Sequence, residues 1–225
     1  MINFSRVKFS STSSKIVIVS RRAVTTDAVA ARTRAWTEQL VVGKNLCPFA
    51  AAPLKDGTLR IHVSTALSDK EVVADVASEI AKLFPPPSST TPSTATSSST
   101  TTLVVFPYHA KLVESHPHQI KLSYEILANI QRNKSAHSDS LQIVNFHPRG
   151  QHSLYAPPDE ISLETDDPYN FVTRSPFPTI HLLRTVDLID ASKFMSGDTE
   201  KIPLRNMERL RKDGRNKLLE EWSAI

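Results

Sequence analysis

The chain has 225 residues, 40% of them hydrophobic and 22% charged, enough for one domain with a sizeable core. Five glycines against fifteen prolines, with neither G-x-G-x-x-G nor G-x-x-x-x-G-K-[ST] anywhere, exclude the standard glycine-rich phosphate cradles. A single cysteine excludes an internal disulfide framework and every multi-cysteine zinc module and fits a reducing compartment, and no apolar run approaches the ~20 residues of a membrane helix, so the chain reads as soluble.

The formal charge of +4 has a local source. Residues 1 to 26 hold Arg6, Lys8, Lys15, Arg21 and Arg22, are rich in hydroxyl residues and contain no acid, the make-up of an organelle leader. Without those five, 22 basic residues face 23 acidic ones, a net charge of −1 from Asp27 onward, so the basic balance does not argue for a nucleic-acid surface. The apolar run Ile16 to Val19 is too short for a secretory core, and its basic flanks suit a mitochondrial leader, with a plastid leader or a cytosolic tail as alternatives.

Beyond the leader, Val29, Trp36 and Leu40 recur on a helical stripe between Asp27 and Val42, and Gly43 follows where a helix would stop. A turn at Asp56-Gly57 leads into Leu59 to Ser64, which alternates as a half-buried strand. Ser68 and Glu71 have capping-box spacing and open a helix with Val72, Val76, Ile80 and Leu83 on one face, ended by prolines 85 to 87. Residues 85 to 102, almost entirely serine, threonine and proline, lack the apolar groups that would offset ordering and read as a disordered insert within one domain, residues 27 to 225. Leu103 to Phe106 is a buried strand. A helix is expected from Gln119 to Arg132, with Ile120, Tyr124, Leu127 and Ile130 inward and Pro117 as the break before it. Leu141 to Phe146 and Thr179 to Arg184 supply two more strands, and Pro203 to Trp222 a final helix interrupted at Gly214. Short strands alternating with helical stretches imply an α/β fold, a mainly parallel sheet of about four strands with helices on its faces.

In such a sheet the ligand crevice lies beyond the carboxyl ends of the strands. His147 ends the third strand and is held at the rim by Pro148, as a proton-exchanging residue or as one hydrogen-bonded to a neighbouring loop. Arg174 lies in a run stiffened by Pro176 and Pro178, Arg184 ends the fourth strand, and Arg205 sits in the first turn of the last helix, where a cation is unfavourable unless an anion meets it. Together they read as a clamp for carboxylate or phosphate, or each pairs with an acid such as Asp166 or Asp167. Cys47, after the end of the first helix, reads as a packing or pocket-lining residue more than a nucleophile. Cys47, His147 and His181 could make a three-ligand zinc site, although their scattered spacing is a weak signal. His116-Pro117-His118 reads as a surface kink.

Several spaced segments carry a family likeness: Asn45-Leu46-Cys47-Pro48-Phe49-Ala50, Phe146-His147-Pro148, Arg174-Ser175-Pro176-Phe177-Pro178, His181-Leu182-Leu183-Arg184, and Ile202-Pro203 followed by Arg205-Asn206 and Leu210-Arg211. On them the chain resembles, from about Thr33 to Gly214, the family catalogued as domain of unknown function 1415, known mainly from bacterial sequences. The resemblance implies a bacterial-type domain behind an organelle leader and implies no reaction. Thr173 departs from the asparagine expected before the Arg-Ser-Pro run, and the insert lengthens a normally shorter connection.

The resulting expectation is an enzyme for a small anionic metabolite, with His147 as general acid or base, Arg174, Arg184 and Arg205 as the anion clamp, and Cys47, Ser175, His181 and Asn206 lining the pocket. The alternative is a non-catalytic module binding a small anion or a protein partner. Neither nucleic acid nor membrane is an expected partner, and no cofactor can be named.

Overall fold

The structure, a computed structural model, describes residues 24–85, 100–132, 140–152, 167–193 and 198–225. The expected leader (but for Val24 to Thr26) and most of the expected insert lie outside the described residues. The first helix, α1, runs Thr26–Trp36 and continues as a π-helical turn, Thr37–Val42. Thr25 is extended, and its hydroxyl accepts from the Ala28 N–H at 3.2 Å, one of the donors a helix start leaves unpaired. Beyond Val42, Gly43 is required by clearance, since a Cβ there would sit 2.2 Å from the Gln39 carbonyl oxygen.

A short helix α2, Ala51–Lys55, precedes strand β1, Leu59–Val63. Helix α3, Asp69–Leu83, opens on the expected capping box, Ser68 accepting from the Glu71 N–H and Glu71 reaching back to the Ser68 N–H. Strand β2, Thr101–Val105, is buried throughout and begins two residues inside the stretch read as insert. Helices α4, Ala110–Glu114, and α5, His116–Arg132, lead to β3, Leu141–Phe146. A 3₁₀ turn, Pro168–Thr173, precedes β4, Thr179–Arg184, and α6, Thr185–Lys193, follows it directly. After a 3₁₀ turn at Asp198–Lys201, α7, Ile202–Asp213, and α8, Arg215–Ser223, meet at Gly214. Among the described residues no helix is long and apolar enough to cross a membrane.

The four strands form one sheet in the order β1-β2-β4-β3. The expectation of a mainly parallel sheet is corrected: β1 and β2 are parallel, but β4 runs antiparallel to both β2 and β3. The cause is the connection into β4. Parallel neighbours need a crossover that returns the chain to the starting edge, as α3 does between β1 and β2. Phe146, the last residue of β3, pairs with Thr179, the first of β4, so the chain re-enters from the edge it left and runs back between β2 and β3.

One face of the sheet carries Val104, Ile180, Leu182 and Leu141, packed under Val72, Val76, Ile80 and Leu83 of α3 and Leu122 and Ile126 of α5. Each such side chain, fully buried, contributes about 1.5–3 kcal/mol. The inward side of α5 differs from the expected stripe: Gln119, Leu122, Ser123 and Ile126 are buried and Tyr124 is 69% exposed. Two polar residues can face inward because they are bonded there. Gln119 Nε2 donates to the Thr179 carbonyl at 2.9 Å, and Ser123 Oγ to Asn145 Oδ1 at 2.7 Å. Pro117 does not break the helix; it lies in its first turn, where no amide partner is lost.

Candidate functional site

Alternation places the other face in three rows across the sheet: Leu59, Thr101, Leu183 and Gln142; then Ile61, Leu103, His181 and Val144; then Val63, Val105, Thr179 and Phe146. Helix α1 and the carboxyl-terminal helices cover part of this face, through Val29, Trp36, Leu40, Leu210 and Leu218. A cavity of about 730 Å³ occupies the rest, within the range of ordinary ligand sites. Its floor includes Leu59, Thr101, Leu103, Gln142, Val144, Phe146, His181 and Leu183. Its walls come from Trp36, Thr37 and Val41, from the 47–50 loop and α2, and from Asp187, Leu188 and Asp190 of α6.

The 45–50 loop is held in place from behind by α7. Asn45 has φ 51 and turns the chain out of the helix. Asn206 Nδ2 donates to the Leu46 carbonyl at 2.7 Å, Arg205 Nη2 to the Asn45 carbonyl at 2.8 Å, and Arg209 to the Lys44 carbonyl. Two guanidinium groups thus meet carbonyls at the negative end of the α1 helix, where cations are favoured. Lys44 is pinned in turn by Asp213 and Glu221, each at 2.7 Å; burial works against its charge, but the two carboxylates prevail and hold its pKa above the ordinary lysine value.

Polar atoms form a small part of the cavity surface. His181 Nε2 lies 2.6 Å from Thr101 Oγ1, which also lies 3.2 Å from the Leu182 carbonyl. The arrangement that uses both contacts has the Thr101 hydroxyl donating to the carbonyl and accepting from Nε2–H. Desolvation pushes the His181 pKa down to about 4, so the ring is neutral at pH 7. Burial pushes the Cys47 thiol up, against the lowering pull of the Phe49 and Ala50 amides and of Arg205, so Cys47 is a thiol at pH 7. Phe146 links the aromatic side of the site, 5.2 Å edge-on from Trp36 and 6.1 Å from His181. The carboxylates Asp187 and Asp190 are engaged by Arg184 and Lys193. Among the described lining residues there is no lysine or arginine.

The residues expected to converge fall into separate places. Cys47 and His181 line the cavity. His147 does not: it is fully buried on the carboxyl edge, with Nδ1 accepting from the Arg149 N–H at 2.9 Å and Nε2 donating to the Leu112 carbonyl at 2.6 Å. Desolvation lowers its pKa, and both ring nitrogens are taken. Its ring stacks on His116, 5.3 Å away, while His118 pairs with Asp69, so the predicted surface kink is the tied-down start of α5. Arg174 shares this edge. The His147 amide donates to the Thr173 carbonyl at 3.0 Å, Arg174 Nε to the Gly150 carbonyl at 3.4 Å, and the guanidinium lies 4.7 Å over the Phe171 ring. The two segments run so close that a Cβ on Gly150 would sit 2.3 Å from the Thr173 carbonyl oxygen. Ser175 is buried there too, donating to the Phe177 carbonyl at 2.5 Å.

Arg184 is at the far edge. It pairs in register with Leu141, the first residue of β3, whereas Phe146 pairs with Thr179, so five residue steps, about 17 Å, separate the two ends. Its guanidinium is bidentate to Asp187, at 2.6 and 2.9 Å. Arg205 and Asn206 stand behind the Cys47 loop. Among the described residues no three His, Cys, Asp or Glu side chains are placed to hold a metal ion. Thr101, Trp36, Phe146 and Leu188 are lining residues that the sequence reading did not assign to a site. Alternation carried back from Leu103 to Thr101 could have found the first, since β-branched threonine suits a strand.

The chain matches, over residues 28–220, the model of the family described as Protein of unknown function (DUF1415). No curated protein and no solved structure matches it.

Proposed function

The chain belongs to the DUF1415 family, and we propose that it is a small-molecule-binding protein whose ligand is seated in the cavity over the half-covered face of the sheet. One observation carries this reading: a space of about 730 Å³ is bordered by Trp36, Phe49, Leu59, Leu103, Phe146, Leu183 and Leu188, and its surface is mostly apolar. A lining of Asp56, Asp187 and Asp190 with no described lysine or arginine supports a neutral ligand over the anionic one expected from the arginines. The protonated Cys47 thiol and the weakly basic His181 imidazole, its pKa pushed down to about 4, support binding over turnover.

The test is a titration with the neutral dye N-phenyl-1-naphthylamine, which brightens in apolar surroundings. Wild type should bind it saturably at one site, and Leu183→Trp, which fills the floor, should not bind it while melting within a few degrees of wild type. Equal binding by the variant, or none by wild type, contradicts the reading. The basic leader adds an address to the proposal, a mitochondrion or plastid. A reporter carrying residues 1–30 that stays diffuse in the cytosol contradicts that address.

A further inference from the structure

We infer that the ligand of this cavity is a neutral molecule with an apolar, cyclic body and one hydrogen-bond donor, an alcohol or an amide N–H, which it presents to Nδ1 of His181, with Thr101 as the residue that fixes the imidazole tautomer. The inference rests on the cavity being a ligand site. It starts from how His181 is bonded. Nε2 is committed to Thr101 at 2.6 Å, and Thr101 is committed to the Leu182 carbonyl, so the ring proton is on Nε2 and Nδ1 is left as an acceptor. Among the described residues Nδ1 has no hydrogen-bond partner, and it is not one of the polar atoms sealed from solvent. The ring is half-buried and stands in the middle row of the cavity floor, so what it leaves open faces the cavity.

An acceptor surrounded by hydrocarbon selects sharply. A ligand donor placed there gains a hydrogen bond out of water, whereas a ligand that fills the cavity without a donor strips Nδ1 of solvent and returns nothing. Charge is selected against as well. The ring stays neutral near pH 7, so it offers no cation to a carboxylate, and an ammonium would lose its hydration among Leu59, Leu103 and Leu183 while Asp187 is already bound by Arg184. The edge-on Trp36–Phe146 pair, with Phe146 beside His181, lines the site with ring faces and edges that suit a flat or cyclic body.

The experiment compares three probes of one shape on the full-length chain by dye displacement: 2-naphthylmethanol, its methyl ether and 2-naphthoate. The expected result is that the alcohol binds about tenfold more tightly than the ether, the size of one net hydrogen bond, and that 2-naphthoate binds more weakly than the alcohol. In His181→Phe and in Thr101→Val the alcohol-to-ether ratio should fall towards one, and in His181→Phe the ether should gain affinity, since no acceptor is left there to strip of solvent. A readout on wild type alone stands beside these variants: long-range ¹H–¹⁵N correlation should show His181 protonated on Nε2, with the unprotonated Nδ1 signal shifting when the alcohol binds and not when the ether does. If alcohol and ether bind equally to wild type, or naphthoate binds best, the inference is overturned while the cavity reading stands. If none of the three displaces the dye, the cavity reading itself falls.

Discussion

The two faces of the sheet are built from the same four strands and end in opposite conditions. Beneath α3 and α5 the middle of the face is closed: Val104, Ile180 and Leu182 are fully buried, and the buried carboxylate at the rim, Glu79, is held by Arg60 and Lys82, each at 2.6 Å. On the other face the cover is assembled from distant parts of the chain, α1, the 45–50 loop, α7 and α8, and it leaves Val144 38% exposed beside the cavity. Two long amphipathic helices seal a face; a cover of shorter pieces fixed by backbone hydrogen bonds leaves room for a ligand. Stability should therefore be concentrated on the first face and binding on the second.

The largest expected effect breaks that division if it fails. Leu122→Ala, on the sealed face, should cost about 2–5 kcal/mol in urea unfolding, the range for emptying a packed site. Leu183→Ala, whose side chain already borders open space, should cost less than about 1.5 kcal/mol, because most of its contacts do not exist to be lost. Equal costs would mean that the faces do not differ as described.

Next in size is acid sensitivity. Desolvation brings His116 and His181 to about 4 and lowers His147, all from 6.5. A histidine whose folded pKa lies below its unfolded value binds more protons unfolded, so its contribution is complete above pH 6.5 and is lost as pH falls towards 4. His181→Phe should flatten this loss by up to about 3 kcal/mol between pH 6.5 and 4, measured as the change in urea midpoint with pH. An unchanged slope would contradict a desolvated His181. A smaller effect, about 1–2 kcal/mol, is expected for Asn206→Ala, which leaves the buried Leu46 carbonyl without its donor; because that bond holds the cavity wall, dye affinity should drop as well. Smallest is Cys47. As a neutral thiol it should react slowly with iodoacetamide at pH 7, and an apparent thiol pKa below 7 would contradict its burial.

What was legible in the sequence follows the same division. The capping box at Ser68 and the stripe Val72, Val76, Ile80, Leu83 announce α3, because packing against a sheet leaves a direct periodic trace. The α5 stripe misleads by one helical face, since Gln119 and Ser123 are inward for their hydrogen bonds and hydrophobicity does not encode that. The direction of β4 was hidden for a related reason: strand composition is indifferent to direction, and only the connection, here without a crossover helix among the described residues, decides it. With β4 reversed, Arg184 leaves the edge where His147 and Arg174 stand, and Arg205 lies behind the Cys47 loop, so the expected clamp is not assembled. Cys47 and His181, expected to line a pocket with His147 and the arginines, border instead a cavity on the sheet face that none of those four residues lines. Thr101 was not legible, because it sits at the end of a serine and threonine run whose composition conceals the first residues of a buried strand.

The most direct test of a ligand site confined to one face is a methyl-resolved NMR titration of the full-length chain with toluene. The account predicts saturable shifts at Leu59, Leu103, Val144, Leu183 and Leu188 and none beyond noise at Val76, Leu122 and Ile126. Shifts spread over both faces, or absent from the cavity face, would contradict it.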